Sequence, residues 1–307
     1  MTVGTFAAAL GWDLACGEPP AILHPTVWVG RAAAALERPA LRLSPTGQFV
    51  AGAAVGFGLP ALAAVLSRAL TRRLSRSPRP AFLRTLVPVW LLKSAFSVRM
   101  LVREAELVAD RLDRGELDAA RWRLRSLVSR ETGELDPAHV ASAAIESLAE
   151  NVTDSFVAPW CYAAAGGVPA ALAYRVVNTL DSMWGYHGNY EHFGKIPARL
   201  DDALNFLPAR LSAALISLAA GRRARDAWTT ARREHARTES PNAGWTMAAA
   251  AGALGVWLEK PGAYRLGRGA DPDPEAIRRA ARLVTRTAVI AALLTAAAMT
   301  ARERRGR

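Results

Sequence analysis

The sequence predicts an all-α, polytopic membrane helical bundle with a broken, re-entrant helical hairpin and cytoplasmic amphipathic helices. Hydrophobic residues make up 51% of the 307 residues, and the mean hydropathy of +0.09 is high for a soluble protein. Residues 43–67 carry no charge, and residues 156–174 form a second uncharged stretch that glycine and proline interrupt. Together these observations favour the membrane class.

Residues 43–67 are the best candidate for a membrane-spanning helix. At about 1.5 Å per residue, this stretch is long enough for the roughly 30 Å hydrocarbon core of a bilayer. Arginines follow with no acidic residue among them, at Arg68, Arg72, Arg73, Arg76, Arg79 and Arg84. Because short basic loops stay in the cytoplasm, we expect a multi-pass protein of the cell inner membrane whose site faces the cytoplasm.

We expect one integral-membrane domain over residues 1–307, with a charged helical insertion at about residues 99–137 on the water-exposed side. The insertion mixes both signs of charge with leucines at helical spacing, and it breaks near Gly115. Residues 259–286 are rich in Gly, Pro and Asp and are expected to form a connection. A last apolar helix is expected over residues 287–301.

Arginine supplies most of the positive charge. The net charge is +12 and the sequence pI is about 10.8. The arginines lie beside apolar stretches, which favours the lipid bilayer as a partner. The sequence has no nucleic-acid module and no basic stripe with interleaved aromatic residues, so nucleic-acid binding is not expected. Its two cysteines indicate neither a disulfide framework nor a zinc site.

A polar phrase, N-x-x-D-S, occurs on both sides of the interrupted stretch. Its two copies are Asn151, Asp154 and Ser155, and Asn178, Asp181 and Ser182. An Asn and an Asp three residues apart share one face of a helix, so their oxygens can converge on a hard cation such as Mg²⁺. Glu146 and Glu150 precede Asp154 at spacings of four and add carboxylates. The alternative is a solvated helix face with Asn and Ser as caps.

The interruption at Gly166, Gly167 and Pro169 decides how the two copies are arranged. Each half of the stretch has about nine or ten residues and reaches only half way through a bilayer. A hairpin at this point returns both copies to one face of the membrane, whereas a straight span separates them. Non-helical backbone at that depth needs cover from other protein segments.

Residues 181–205 are expected to form a long loop rich in aromatic and polar residues. In this loop, Trp184 and Tyr186 are placed to cover a large, flat ligand. Lys195 and Arg199 are suited to holding phosphate. The alternative interpretation is a belt of aromatic residues at the membrane interface.

Several stretches of the sequence resemble one known family. They are GEPPAILHPTVWVG at residues 17–30, LVSRET at 127–132, AENVTDSFVAPWCYAAAGGVPAALAYRVVNTLDSMWGY at 149–186, FGKIPARLDDALNFLPARL at 193–211 and SPNAGWTMAAAAGALGVWLEKPGAY at 240–264. Over nearly the whole chain, the sequence resembles the CobD/CbiB family of cobalamin biosynthesis, the adenosylcobinamide-phosphate synthases.

The resemblance implies an integral membrane enzyme, a ligase that forms a carbon–nitrogen bond. Its reaction joins (R)-1-amino-2-propanol or its O-phosphate to a propionate carboxylate of adenosylcobyric acid, giving adenosylcobinamide or its phosphate. The resemblance also implies ATP as co-substrate and Mg²⁺ as cofactor. The sequence contains no P-loop, so ATP use rests on the resemblance alone. Further expected partners are a second copy of the chain or other membrane enzymes of the pathway.

The resemblance also suggests a role for each group of candidate residues. Magnesium ligands are expected among Glu150, Asn151, Asp154, Asn178 and Asp181. Substrate and phosphate binding is expected from His24, Arg130, Trp184, Tyr186, Lys195 and Arg199. The expected catalytic acids are Asp201, Asp202 and Glu146, and Asp201 or Asp202 is the candidate base that deprotonates the amine.

The sequence departs from the family pattern at two places. Glu18 stands where the family usually reads G-D-P, and Ser129 and Glu131 stand where it usually reads G-R-D-T. Both acidic replacements keep the charge, while Ser129 replaces a glycine of a tight turn. Two other functions stay open. A membrane transporter or carrier of a corrinoid binds its substrate at interrupted helices, and a magnesium-dependent membrane prenyltransferase has paired polar phrases of this kind.

Overall fold

The computed structural model describes residues 1–76, 78 and 80–305, which form two compact units. Unit 1 comprises Met1–Ser97, Ala158–Leu204 and Leu294–Arg307, and unit 2 comprises Val98–Val157 and Asn205–Leu293. Arg79, one of the arginines expected in the cytoplasmic loop, lies outside the described residues. The single integral-membrane domain stays a prediction.

Most of the regular structure is helical, which confirms the all-α class. Unit 1 contains α1 (Val3–Cys16), α2 (Pro25–Ala40), α3 (Pro45–Ser75), α4 (Ala81–Lys93), α8 (Ala158–Gly166) and α9 (Val168–Trp184). Unit 2 contains α5 (Arg99–Asp113), α6 (Leu117–Leu124), α7 (Pro137–Val152), α11 (Ala224–Glu234) and α12 (Ala243–Leu254). Two long helices, α10 (Lys195–Ala219) and α13 (Pro274–Arg305), contribute residues to both units.

Helix α3 is a long apolar helix of unit 1. It begins after Ser44, whose hydroxyl accepts a hydrogen bond from the Gly47 amide, and Pro45 occupies its first turn. Its most apolar window has a mean hydropathy of 2.1. Among the described residues, α3 and α13 are long and apolar enough to cross a membrane. The apolar helix predicted at residues 43–67 is confirmed, whereas a multi-pass bundle stays a prediction.

The chain leaves α8 and enters α9 at Gly167. The φ of Gly167 is 75°, in the left-handed region that favours glycine, and Pro169 fits the first turn of α9. The two helices pack against each other. The predicted interruption of the helix is therefore confirmed, while a re-entrant hairpin in a membrane stays a prediction.

The core of unit 1 forms where α9 packs against α2 and α3. Val176, Leu180 and Trp184 of α9 are buried together with Phe193. Helix α3 approaches so closely that a Cβ atom on Gly52 would lie 2.0 Å from the Phe193 carbonyl oxygen. Glycine is therefore required at this position. The contact fixes the backbone that leads into α10 against α3.

The long loop predicted over residues 181–205 is wrong. Helix α9 continues to Trp184 and α10 begins at Lys195, so only residues 185–194 connect the two helices. Pro197 lies in the first turn of α10, where its missing N–H has no helical partner to lose. The alanine, leucine and arginine residues that follow favour a helix. The acids expected in a loop therefore belong to a helix.

Unit 2 includes the predicted charged helical pair. Helices α5 and α6 pack against each other and are separated at Gly115, whose φ of 72° lies in the left-handed region. Arg123 of α6 donates a hydrogen bond of 2.6 Å to Glu104 of α5. Both helices also pack against α7. The predicted break near Gly115 is confirmed.

The connection predicted at residues 259–286 is wrong in part, because it contains regular structure. An antiparallel hairpin pairs β1 (Leu258–Lys260) with β2 (Tyr264–Leu266). Gly262 in its turn adopts a φ of 75°. The last helix, α13, begins within the same stretch, well before its predicted start.

Candidate functional site

The second N-x-x-D-S copy lies near the C-terminal end of α9 in unit 1. Asn178 is buried, and its Nδ2 donates a 3.3 Å hydrogen bond to Asp201 Oδ1 of α10. Its Oδ1 accepts a 3.0 Å hydrogen bond from the Arg175 guanidinium. The Asn178 amide therefore links an arginine of its own helix to an acid of the next helix.

Three carboxylates interact in this part of unit 1, and we call Asp181, Asp201 and Asp202 the acid cluster. Burial, together with the negative charges of Asp201 and Asp202, raises the pKa of Asp181 to about 7. Burial also raises the pKa of Asp202, and the nearby Arg199 guanidinium opposes this effect. Arg199 and Lys195, the predicted phosphate-binding residues, are exposed on α10. One buried and two partly exposed acids that repel one another form a candidate site for a proton or a cation.

The aromatic residues near the acid cluster belong partly to the core. Trp184 is fully buried, and its indole N–H donates a 2.9 Å hydrogen bond to Glu37. Tyr190 donates a 2.8 Å hydrogen bond to the same carboxylate. Tyr186, by contrast, is 47% exposed. Of the two aromatic residues predicted to cover a ligand, Trp184 thus packs inside the unit, and Tyr186 presents an exposed ring.

A buried ion network involves another predicted site residue, His24. Lys93 Nζ is fully buried and lies 3.1 Å from Asp13 Oδ1 and 2.7 Å from Glu18 Oε1. His24 Nε2 lies 2.9 Å from Glu18 Oε2. Although burial raises the pKa of Glu18, the hydrogen bond with His24 and the charge of Lys93 lower it to about 2. The sequence marks Lys93 only as the single charge within residues 85–98, and it does not reveal these partners.

The first N-x-x-D-S copy begins in the last turn of α7 in unit 2 and continues beyond it. Here the helix widens into a π turn over Thr153–Val157, a feature that often occurs at functional sites. Ser155 donates a 2.8 Å hydrogen bond to Asn151 Oδ1. Asn205 donates a 3.1 Å hydrogen bond to Asp154 Oδ1. The Ser155 hydroxyl therefore restrains the side chain of Asn151, and the Asn205 amide restrains that of Asp154.

Glu146 of α7 is the centre of a second buried network. Arg130 donates hydrogen bonds of 3.3 and 3.2 Å to its two oxygens. Ser142 donates one of 2.7 Å, and Tyr264 of β2 donates one of 2.6 Å. Burial, followed by the charge of Glu146, raises the pKa of the Tyr264 hydroxyl, which therefore keeps its proton. Glu150 is exposed, so these two acids of α7 lie in different environments.

The predicted magnesium ligands are divided between the units. Glu150, Asn151 and Asp154 belong to unit 2, and Asn178 and Asp181 belong to unit 1. Within residues 1–76, 78 and 80–305, no three His, Cys, Asp or Glu side chains form a group that could hold a metal ion. The set of five ligands stays a prediction.

The sequence matches a known family over most of its length. A family model described as CobD/Cbib protein covers residues 6–294. The chain belongs to the CobD/CbiB family. This finding confirms the family resemblance predicted from the sequence.

Individual CobD proteins are similar to this family member over most of both chains. The cobalamin biosynthesis protein CobD of Dehalococcoides mccartyi strain CBDB1 is 43% identical over 265 residues, which is 85% of each chain. The probable cobalamin biosynthesis protein CobD of Thermococcus kodakarensis is 42% identical over 296 residues, or 95% of each chain. That of Chromobacterium violaceum is 42% identical over 302 residues, or 94% of each chain. No solved structure matches the chain.

Tyr264 is a candidate site residue of this CobD/CbiB chain that sequence reasoning does not single out. Tyr264 is the last residue of the family-like stretch that begins at Ser240. Its place in that stretch is the one feature of the sequence that could have marked it as a site residue. Its contact with Glu146 depends on the β-hairpin, which the sequence does not predict.

Proposed function

We propose that this CobD/CbiB chain joins (R)-1-amino-2-propanol, or its O-phosphate, to a propionate carboxylate of adenosylcobyric acid as an amide. The observation that carries the proposal is the family match over residues 6–294, together with relatives named cobalamin biosynthesis proteins. The enzyme is then a carbon–nitrogen ligase, and its product is adenosylcobinamide or its phosphate.

The proposed reaction needs an activated acid and a neutral amine, because a carboxylate is a poor acyl donor. A propionate oxygen attacks the γ-phosphorus of ATP, giving an acyl phosphate and ADP. The amine nitrogen then attacks the acyl carbon, inorganic phosphate leaves, and a general base takes the proton from nitrogen. Each amide bond consumes one ATP.

The acid cluster supports the proton transfer. Asp202 is partly exposed, and burial raises the pKa of its carboxyl. A raised pKa brings a carboxylate closer to the basicity that deprotonation of an ammonium requires. We therefore assign Asp202 as the general base. Asp201 is buried and accepts a hydrogen bond from Asn178, which fixes the orientation of its carboxylate.

The chemistry of the acid cluster also fits magnesium. Mg²⁺ usually takes one or two carboxylates together with waters and phosphate oxygens, so it does not require three protein acids. Asp181 and Asp201 are the proposed protein ligands, since their mutual repulsion favours a cation. When bound, the ion supplies positive charge that neutralises the phosphates of ATP.

Basic residues support the binding of anionic substrates. In unit 1, the exposed Lys195 and Arg199 are suited to phosphate. In unit 2, Arg130 presents two N–H groups to Glu146, a geometry that also suits a carboxylate or phosphate. His24, next to Glu18, stays a proposed substrate-binding residue.

The proposed location is the cell inner membrane, with several spans and with the site facing the cytoplasm. The long apolar helices α3 and α13 support a membrane location. Arg72 and Arg73 in the last turn of α3 favour the cytoplasm for that end of the helix. The lipid bilayer is thus a proposed partner.

An assay of the purified full chain in detergent tests the proposed reaction. Adenosylcobyric acid, aminopropanol phosphate, ATP and Mg²⁺ are supplied, and mass spectrometry should detect the amide product and ADP in equal amounts. Asp202→Asn should abolish most turnover, while Asp118→Asn, whose carboxylate is 96% exposed in unit 2, should not. Binding or vesicle uptake of the corrinoid without any amide product would contradict the proposal.

A further inference from the structure

Unit 1 contains a cavity of about 350 Å³ between α2, α3, α4 and α9. Its volume falls within the range of roughly 300–1,000 Å³ that is usual for small-molecule sites. Trp28 and Trp90 line the cavity and meet edge to face, with ring centroids 5.8 Å apart. Arg175 of α9 also lines it. The proposed reaction does not use this cavity.

Five polar groups of the cavity wall donate to the protein itself. Thr26, Ser67 and Thr179 donate hydrogen bonds of 2.8, 3.1 and 2.7 Å to backbone carbonyl oxygens. The indole N–H groups of Trp28 and Trp90 each donate at 2.9 Å to backbone carbonyl oxygens. Because these donors are satisfied without a ligand, the cavity favours an apolar occupant.

The cavity is open along α3. Leu62, Leu66 and Leu70 line it and are 51%, 59% and 41% exposed. Together with Leu59 they form a leucine stripe at helical spacing, which is about 16 Å long at 1.5 Å per residue. Since α3 is long and apolar enough to cross a membrane, the open side of the cavity meets acyl chains when the helix spans a bilayer.

We propose that this cavity is a lateral lipid site, which holds one acyl chain of a membrane phospholipid. The inference rests on the proposed membrane location and not on amide formation. A chain lying along the leucine stripe fills the cavity and leaves no buried polar group of the ligand unpaired. The chain also packs against Arg175, whose guanidinium donates to Asn178, the partner of Asp201. Lipid occupancy therefore supports the arrangement of the acid cluster.

Native mass spectrometry of the full chain, extracted from membranes in a mild detergent, tests the lipid site. The wild-type protein should retain one phospholipid after washing with detergent. Ala63→Phe places a ring in the cavity and should abolish this retention. Ala61→Phe, at an exposed position of the same helix, is the matched control and should leave it unchanged. Equal retention by the two variants, or none by the wild type, would overturn the proposal.

Fluorescence provides a second measurement that does not depend on the folding of Ala63→Phe. In nanodiscs of phosphatidylcholine brominated on one acyl chain, bromine quenches any tryptophan that it touches. The bromine quenching of Trp28 and Trp90 is the quenching of the wild type minus that of the Trp28→Phe/Trp90→Phe variant. Ala32→Leu, which narrows the cavity from α2, should reduce this quenching. Undiminished quenching of the two tryptophans would overturn the lipid site.

The outcomes separate this inference from the proposals on which it rests. Wild-type protein absent from the membrane fraction would overturn both the membrane location and the lipid site. Membrane-bound protein without retained phospholipid would contradict the lipid site alone. Amide formation is measured separately in detergent, so its absence would contradict the proposed reaction without affecting lipid retention.

Discussion

The two N-x-x-D-S copies share their residues but differ in how those residues bond. In unit 2, Ser155 donates to the side chain of Asn151 within a π turn. In unit 1, the corresponding Ser182 donates to the backbone carbonyl of Asn178 on a regular α-helix. The side-chain oxygen of Asn178 instead accepts from Arg175. The serine thus restrains the amide directly in the first copy only.

The acids of the two copies also have different neighbours. Asp154 accepts a hydrogen bond from Asn205, whereas Asp181 interacts with two further acids. Nearby acids disfavour the charged form of a carboxylate. The same phrase therefore gives a hydrogen-bonded acid in unit 2 and a repelled acid in unit 1. We propose that function depends on these neighbours and that the chemistry occurs at the second copy.

Loss of Asp181 should have the largest effect. Asp181→Asn removes a proposed magnesium ligand and should lower kcat for amide formation by roughly 100-fold or more, as is common for charges positioned in an active site. Asp154→Asn is the matched variant of the other copy and should cost less than about tenfold. Product formation over a Mg²⁺ titration, measured by mass spectrometry, checks both variants. Equal losses would remove the distinction between the copies.

The stability of Asp181→Asn should change in the opposite direction to its activity. Because the pKa of Asp181 rises from 3.8 to about 7 in the folded protein, its ionisation opposes folding. This cost is absent below the unfolded value, grows as pH rises and is complete above the folded value. The variant should therefore unfold with a free energy higher by on the order of 2–3 kcal/mol at pH 8 and by little at pH 4. Thermal unfolding in detergent measures this.

Asp154→Asn provides the control for the stability measurement. Asp154 accepts a hydrogen bond from an amide, so its replacement should give no comparable gain at pH 8. A gain of the same size in both variants would show that the neighbouring acids do not distinguish the two copies.

A third test concerns Glu146, an acid on the helix that leads into the first copy. Tyr264→Phe removes the 2.6 Å hydrogen bond to its buried carboxylate. The free energy of unfolding should fall by about 1.5–3 kcal/mol, as expected for a hydrogen bond to a charged group. Tyr186→Phe alters an exposed ring and serves as the control. If both variants unfold like the wild type, the hydrogen bond from Tyr264 to Glu146 does not stabilise the fold.

The smallest expected effect compares the two serines. Ser155→Ala removes a hydrogen bond between two side chains and should lower the free energy of unfolding by about 1 kcal/mol. Ser182→Ala removes only a bond to a helical carbonyl four residues back and should change stability very little. Denaturant titration of both variants measures the difference. The reverse order would contradict the assignment of the restraining serine to the first copy.

Local sequence patterns predict much of the helical structure. The uncharged residues 43–67 fall almost entirely within α3, and the interruption at Gly166, Gly167 and Pro169 separates α8 from α9. Both predictions depend on residues close together in the chain, namely an uncharged length in one case and glycine and proline in the other. The loop before α10 was predicted too long, because residues 185–194 are rich in turn-forming residues and the prediction extended the loop to residues 181–205.

Contacts between distant residues do not follow from such patterns. Lys93 bonds Glu18 across 75 residues, and Tyr264 bonds Glu146 across 118 residues. In the sequence alone, Lys93 is a single charge in an apolar stretch, and Tyr264 is an aromatic residue that follows Pro261 and Gly262. The acids of the two copies were predictable by residue type, but the neighbours of their carboxylates depend on tertiary packing.

The contact between Gly52 and Phe193 links the position of α3 to that of the backbone before α10. One side of α3 meets the backbone that leads into α10, with no room for a side chain at Gly52. Further along α3, exposed leucines line the cavity, and we propose that they meet lipid. A bilayer thinner or thicker than the apolar length of a helix changes its tilt. In the proposed membrane location, a tilt of α3 would displace the chain that carries Asp201 and Asp202. Turnover in vesicles should therefore depend on acyl-chain length and reach its maximum at one bilayer thickness.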